Sequence, residues 1–143
     1  MICYQEIFPS WMTAMKSFSA GNAAATSFLA KPKILVSILN WNSAAKTLHC
    51  LSSIQNEQAI TGSVADVSVR VLDNGSRSED RAALQASLSA FVTLQCLPVN
   101  LSFTGGHNLA ITSAIADNYD FIWLINNNAE VVPGTLLKLV NEI

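Results

Sequence analysis

Residues 33–40 read KILVSILN, a short and nearly continuous run of apolar and β-branched side chains. Such a run is typical of a strand that is buried on both faces of a parallel sheet. Runs of similar character recur along the chain at Val67–Leu72, Val92–Leu97 and Asp120–Ile125. The sequence therefore predicts four strands, the first of them buried on both faces.

Each predicted strand is followed by a segment with helical periodicity. Asn42 or Ser43 is predicted to cap the first helix, and Ser78 the second, whose first turn contains two carboxylates. The third helix is predicted to begin after Asn108 and the fourth to cover Thr135–Ile143. The predicted apolar faces of the first three helices are, in order, Ala45, Leu48, Leu51 and Ile54; Ala82, Leu84, Leu88 and Phe91; Leu109, Ile111, Ile115 and Ala116.

The order β-α-β-α-β-α-β-α predicts an α/β fold with three layers, in which helices cover both faces of a mostly parallel, Rossmann-like sheet. The polar segment Gln55–Gly62 is predicted to separate the first helix from the second strand. Residues 1–30 are predicted to form an extension with a short helix at Trp11–Phe18. The domain is predicted to span residues 31–143. Ligands of such folds bind at the carboxyl ends of the strands.

Composition excludes several classes of protein. The net charge is −2 and the eight Lys and Arg residues are scattered, so no basic stripe is present for nucleic-acid binding. No apolar run reaches the roughly 18–20 residues of a membrane span, and no secretory signal is recognisable. Cys3, Cys50 and Cys96 have no metal-binding spacing and are predicted to be free thiols. These features predict a cytoplasmic protein, and the low charged fraction of 13% also fits a homodimer.

Two polar clusters follow the first two strands. Asn40 and Trp41 belong to a turn that either presents amides and an aromatic ring to a nucleobase or only caps the next helix. Asp73 and Asn74 begin an Asp-Asn-Gly-Ser turn that either accepts hydrogen bonds from a base and ribose or is a plain Asx turn. Gly75 permits the positive φ that a sharp turn requires.

Two more clusters follow the third and fourth strands. Gly105, Gly106 and Asn108 precede the third helix, where small residues and a helix N-terminus let a backbone approach an anionic ligand. The spacing differs from that of a dinucleotide-binding or phosphate-binding loop. The run Asn126–Asn128 with Glu130 offers oxygen ligands for Mg²⁺ or Mn²⁺. Asparagine brings no charge, so a metal held there is expected to bind weakly.

Four runs in this order and spacing resemble the rhamnosyltransferase-like branch of the family 2 glycosyltransferases: VSILNWNSAAKTLHCLSSI, VLDNGS, NLSFTGGHNLAI and LINNNAEVVPGTL. The resemblance covers about Lys33 to Leu139. It implies a GT-A fold, a UDP- or dTDP-sugar donor and inverting transfer to a hydroxyl acceptor, as in polysaccharide biosynthesis.

The resemblance also implies roles for individual residues. Asn40 and Asp73 would contact the base and ribose, Asn108 would lie near the nucleotide, and Asn126–Asn128 would hold the diphosphate and metal. The family usually has Asp where this chain has Asn128, so a divalent metal is expected to be bound poorly if at all. Its acceptor-binding half, with the general base, lies beyond this stretch, so we expect these 143 residues to bind a donor without catalysing transfer.

Two other interpretations remain open. The first is a non-catalytic α/β module that has lost the metal site and acts through protein contacts. The second is another doubly wound domain, such as one resembling a response regulator. The second is disfavoured because Asn40 and Leu97–Pro98 do not supply the acidic cluster that a phosphoacceptor needs.

Overall fold

The computed structural model describes residues 31–142, so the helix predicted at Trp11–Phe18 lies outside the described residues. Strands and helices alternate strictly along this part of the chain. The elements are β1 (Lys33–Asn40), α1 (Ala44–Thr61), β2 (Asp66–Asp73), α2 (Ser78–Ser87), β3 (Val92–Cys96), α3 (Ser102–Ala116), β4 (Phe121–Asn126) and α4 (Thr135–Asn141). Each strand agrees with its predicted range to within one residue at either end.

The four strands form one parallel sheet in the order β3-β2-β1-β4. β1 is central and pairs with β2 along its whole length, from Lys33 opposite Asp66 to Asn40 opposite Asp73. On its other side Leu39 lies opposite Asn126 of β4. The predicted three-layer α/β/α fold with a parallel sheet is therefore confirmed.

Alternate residues of β1 show which helix covers each face of the sheet. Val36 and Ile38 are fully buried in a cluster that includes Leu51 and Ile54 of α1. The next residue, Leu39, points to the opposite face, where a Cβ added to Gly106 of α3 would lie 2.5 Å from its Cδ1. α2 and α4 contact α1, whereas α3 packs against β1 and β4. The core therefore lies mainly between the sheet and α1.

The prediction of a polar break at Gln55–Gly62 is wrong, because α1 continues to Thr61. Its polar residue Glu57 is fully buried. Both carboxylate oxygens accept backbone N–H groups at the start of α4, from Gly134 and, at 2.7 Å, from Leu136. These tertiary contacts keep Glu57 within α1, although its polarity predicts that the helix is interrupted there.

The predicted caps and faces of α1 and α2 are partly wrong. Ala45 and Ala82 are exposed, and α1 instead buries Ala44 and Cys50 beside the predicted Leu51 and Ile54. Ser78 lies inside α2, and the residue before it makes no side-chain cap. α2 ends at Ser87, before Leu88 and Phe91, although both still pack against the core.

The start of α3 also differs from its prediction. The helix begins at Ser102, so Gly105 and Gly106 lie within its first two turns instead of preceding it. Its buried face consists of Gly106, His107, Ala110 and Ala114, whereas the predicted Ile115 is exposed. Small residues form this face because α3 approaches the sheet closely at Leu39.

Two further sequence predictions concern thiols and membrane spans. Cys50 and Cys96 are free, as predicted, and burial raises the pKa of the Cys50 thiol to about 11. Cys3 lies outside the described residues. Within residues 31–142, none of the helices combines the length and apolar character that crossing a bilayer requires.

Candidate functional site

The sheet has a topological switch point beside β1. The chain proceeds from β1 outwards to β2 and β3, and then returns to place β4 on the other side of β1. Open parallel sheets bind ligands in the crevice at the carboxyl ends of the strands that flank such a point. A cavity of about 390 Å³ lies there. Its lining residues are Leu39, Trp41, Ser43, Asn74, Asn100, Ser102, Phe103, His107, Asn126 and Asn127.

The structure brings together segments that follow all four strands. Trp41 follows β1, Asn74 follows β2, Asn100 follows β3 and Asn126 ends β4. A parallel sheet delivers the carboxyl ends of its strands to a single edge, which places residues from positions 39 to 127 around one cavity.

The ten predicted site residues occupy three kinds of position. Trp41, Asn74 and Asn126 line the cavity. Asn108 is exposed and lines a neighbouring cavity of about 350 Å³, on the other side of Phe103 and His107. The others line neither cavity: Asn40, Asp73, Gly105, Gly106, Asn128 and Glu130.

Asn40 and Asp73 form a fully buried network beside the cavity. The Asn40 amide donates to Asp73 Oδ1 at 2.9 Å and to Asp80 Oδ2 at 2.8 Å, and its oxygen accepts from Thr47 Oγ1 at 2.7 Å. The second oxygen of Asp73 accepts from Arg81 Nε at 3.1 Å. The side chains of Asn40 and Asp73 thus form their hydrogen bonds within the protein. These bonds position the ends of β1 and β2 around the cavity.

The same network starts α1. The other oxygen of Asp80 accepts the N–H of Ala44 at 2.7 Å, which provides a cap from a neighbouring helix. Ser76 Oγ accepts from the Asn40 amide and, at 2.9 Å, from the Asn42 N–H. The turn after β2 is thereby tied to the turn after β1.

Asn74 connects the cavity wall to the segment before α3. Its amide donates to Asn100 Oδ1 and to the Ser102 carbonyl, both at 3.0 Å, and its oxygen accepts the Leu101 N–H at 2.9 Å. Asn100 Oδ1 also accepts the Ser102 N–H at 2.7 Å. Two asparagine oxygens therefore occupy the N–H groups at the start of α3.

Backbone strain is concentrated in the turns beside this cavity. Asn42 and Ser102 have φ values of 48° and 63°, in the left-handed region that non-glycine residues rarely adopt. Such residues cost about 1–3 kcal/mol each unless surrounding contacts hold them. Asn42 Oδ1 accepts the Arg77 N–H at 2.9 Å, and Ser102 is held by Asn74 and Asn100 as described.

Two aromatic side chains stand at the cavity wall with much of their surface open. Trp41 is 54% exposed and Phe103 is 64% exposed. Large apolar side chains that stay exposed beside a cavity provide stacking surfaces for a planar or ring-shaped ligand. Phe103 also meets the His107 ring edge-on, with a centroid separation of 4.3 Å.

Of the described residues that line the cavity, His107 alone has a titratable side chain. It is 8% exposed, and within the described residues its Nδ1 is buried without a hydrogen-bond partner. Desolvation by burial lowers the pKa of His107 below the ordinary value for histidine. The neutral imidazole is therefore favoured in the fold.

This pKa predicts a pH dependence of stability. Unfolding restores the ordinary pKa, so the unfolded chain binds more protons as the pH falls below about 6.5. The free energy of unfolding should decrease from about pH 7.5 to about pH 5.5, and His107→Asn should reduce that decrease. Urea unfolding at both pH values measures this decrease in the free energy of unfolding. The matched control is His49→Asn, at the second histidine, which is exposed. An unchanged pH dependence in His107→Asn would contradict the prediction.

The predicted metal ligands do not fit a Mg²⁺ or Mn²⁺ centre. Asn128 and Glu130 are exposed and lie outside both cavities, and Asn126 and Asn127 are neutral amides. Across residues 31–142 there is no group of three or more His, Cys, Asp or Glu side chains arranged to hold an ion. Hard divalent cations need several oxygen ligands, carboxylates foremost.

Sequence reasoning did not assign Ser43, Asn100, Ser102, Phe103 or Asn127 individually to the site. Asn100, Ser102 and Phe103 belong to the NLSFTGGHN run, in which only the two glycines and Asn108 are predicted to belong to the site. The signal in this run is the aromatic Phe103 between two polar residues, in the first turn of α3.

The fold and this cavity define a parallel α/β domain with a cavity at its switch point. The chain matches no protein-family model and no curated protein in sequence.

Proposed function

We propose that this domain binds a nucleotide sugar, as the donor-binding part of an inverting glycosyltransferase that uses a UDP- or dTDP-sugar. The observation that carries the proposal is the cavity at the switch point, which is lined from the ends of all four strands. Its volume of about 390 Å³ falls in the range of small-molecule sites. The four runs that resemble family 2 glycosyltransferases supply residues to that cavity or to the network beside it.

The lining suits a pyrimidine nucleoside. The open face of Trp41 offers a stacking surface for the base, and the amides of Asn126 and Asn127 offer donors and acceptors for base edges and ribose hydroxyls. Asn40 and Asp73 support this site indirectly, because they fix the turns that carry Trp41 and Asn74. Transfer itself requires a carboxylate base near an acceptor hydroxyl, and none of the described residues that line the cavity carries a carboxylate.

Replacing Trp41 tests the proposal. Base stacking on an aromatic ring contributes about 1–3 kcal/mol, so Trp41→Ala should weaken UDP or dTDP binding by about tenfold. Stability should change little, because the ring is 54% exposed. Isothermal titration calorimetry measures the affinity. Ile115→Ala, at an exposed residue of α3, is the control and should bind as the wild type does.

Absence of binding of any pyrimidine diphosphate to the wild type, with Mn²⁺ present, would overturn the proposal. Equal affinities of Trp41→Ala and the wild type would remove Trp41 from the site. A domain with this function would work in the cytoplasm, including at the inner face of the membrane, where donor sugars meet their acceptors.

The alternative is a non-catalytic module that acts through protein contacts, including a homodimer. It is favoured by Val99, Leu101 and Phe103, which are all exposed in the segment that leads from β3 into α3. Contiguous exposed apolar residues are typical of interaction surfaces. Size-exclusion chromatography distinguishes the two functions: a monomer that binds nucleotide supports the first, and a dimer that binds none supports the second.

A further inference from the structure

Among the described residues, the lining of the cavity carries no formal charge apart from what His107 can acquire. Its polar side chains are four amides and two hydroxyls: Asn74, Asn100, Asn126, Asn127, Ser43 and Ser102. A site built to hold a diphosphate through a cation normally presents carboxylates to the metal or Lys and Arg to the phosphates. This wall presents neither.

Two charged groups beside the cavity, Asp73 and Arg81, are already engaged by the protein. Asp73 is fully buried, where its carboxylate accepts from Asn40 and Arg81. The Arg81 guanidinium also donates to the Leu97 carbonyl at 3.1 Å. Recruiting Arg81 to a ligand would break its ion pair with the fully buried Asp73 carboxylate, which is costly.

The N-terminus of α3 is the other feature that would attract an anion. Its donors are partly occupied, since the Leu101 and Ser102 N–H groups already donate to the oxygens of Asn74 and Asn100. The asparagine side chains therefore take the place that a phosphate oxygen would occupy at these two N–H groups.

What remains in the wall is suited to an uncharged, hydroxyl-rich ligand. Trp41 and Phe103 offer apolar faces, amides offer both donors and acceptors, and His107 Nδ1 is buried without a partner in the described residues. A neutral imidazole nitrogen supplies one more hydrogen bond to a hydroxyl or a base edge. Burial lowers the pKa of His107, which keeps the wall neutral near pH 7.

We propose that the cavity holds its ligand through the neutral nucleoside, with little contribution from the diphosphate and without a divalent cation. This inference rests on the proposed function and specifies which part of the nucleotide sugar is recognised. It differs from the role that the family resemblance implies for Asn126–Asn128, which is to hold the diphosphate and a metal.

The test compares uridine with UDP, and thymidine with dTDP, by calorimetry on the whole chain. Each titration is done with EDTA and with MnCl₂, and at about 50 mM and about 500 mM NaCl, where charge screening differs strongly. We expect the Kd values of nucleoside and nucleoside diphosphate to agree within about threefold, because their shared part makes the contacts. Mn²⁺ and salt should each change Kd by less than about threefold.

Trp41→Ala provides an internal control, since it should weaken the binding of uridine and the binding of UDP by the same factor. UDP binding that needs Mn²⁺, or that is more than about tenfold tighter than uridine binding, would overturn the inference and leave the proposed function standing. If none of uridine, UDP, thymidine and dTDP binds under any condition, the proposed function and the inference both fail.

Discussion

Replacing Gly75 with alanine should lower the free energy of unfolding by about 3 kcal/mol or more, because two separate costs add. The residue has φ of 73°, a conformation that a side chain resists. An added Cβ would also lie 2.4 Å from the carbonyl carbon of Val99 and 2.5 Å from the N atom of Asn100. These are backbone atoms, so neither the turn nor the segment before α3 can move away cheaply.

The chain offers a matched control for this experiment. Gly134 has a similar φ of 84°, but a Cβ there would have no heavy atom within 4 Å. Gly134→Ala should therefore cost only the conformational part, about 1 kcal/mol. Urea unfolding of both variants measures the difference. If the two substitutions cost the same, the close approach between the turn after β2 and the segment 99–100 does not exist.

Replacing Asn40 with aspartate should destabilise the fold by about 4 kcal/mol near neutral pH, since it leaves an uncompensated buried charge. The change is nearly isosteric, so packing is preserved. It replaces the amide that donates to Asp73 at 2.9 Å and to Asp80 at 2.8 Å with an oxygen that can only repel them. The free energy of unfolding of a small domain is about 5–15 kcal/mol in total, so this variant should be close to unfolding.

The same chemical change at an exposed site provides the comparison. Asn128 is exposed after β4, and Asn128→Asp should alter stability by less than about 0.5 kcal/mol. Thermal and urea unfolding, with circular dichroism as the signal, distinguish the two. A well-folded Asn40→Asp protein of wild-type stability would show that Asn40 is not the donor at the centre of the network.

These substitutions bear on the proposed function because they act on the frame around the cavity. The turn at Gly75 positions Asn74, and Asn40 ties the ends of β1 and β2 together. A loss of nucleotide binding in either variant would therefore follow from loss of the fold and not from loss of a ligand contact. Trp41→Ala, at an open side chain, separates ligand contact from folding.

The sequence by itself determined the elements and the layers of this protein. Runs such as Lys33–Asn40 and Val67–Leu72 are so apolar and β-branched that only buried strands accommodate them, and the helical segments between them require parallel connections. Because parallel strands place their carboxyl ends at one edge, the meeting of Trp41, Asn74 and Asn126 around one cavity followed from local pattern alone. The positive φ of Gly75 followed in the same way from its turn.

Only the tertiary structure decided which polar residues line the cavity and which form hydrogen bonds inside the protein. Asp73 and Asn74 are adjacent in an identical local pattern, yet one is tied to Asn40 and Arg81 and the other lines the cavity. Glu57 remains helical because its partners, the N–H groups of Gly134 and Leu136, lie more than seventy residues away in the chain. Hydrogen-bond partners at such separations leave no trace in local periodicity, since they exist only once the helices have packed on the sheet.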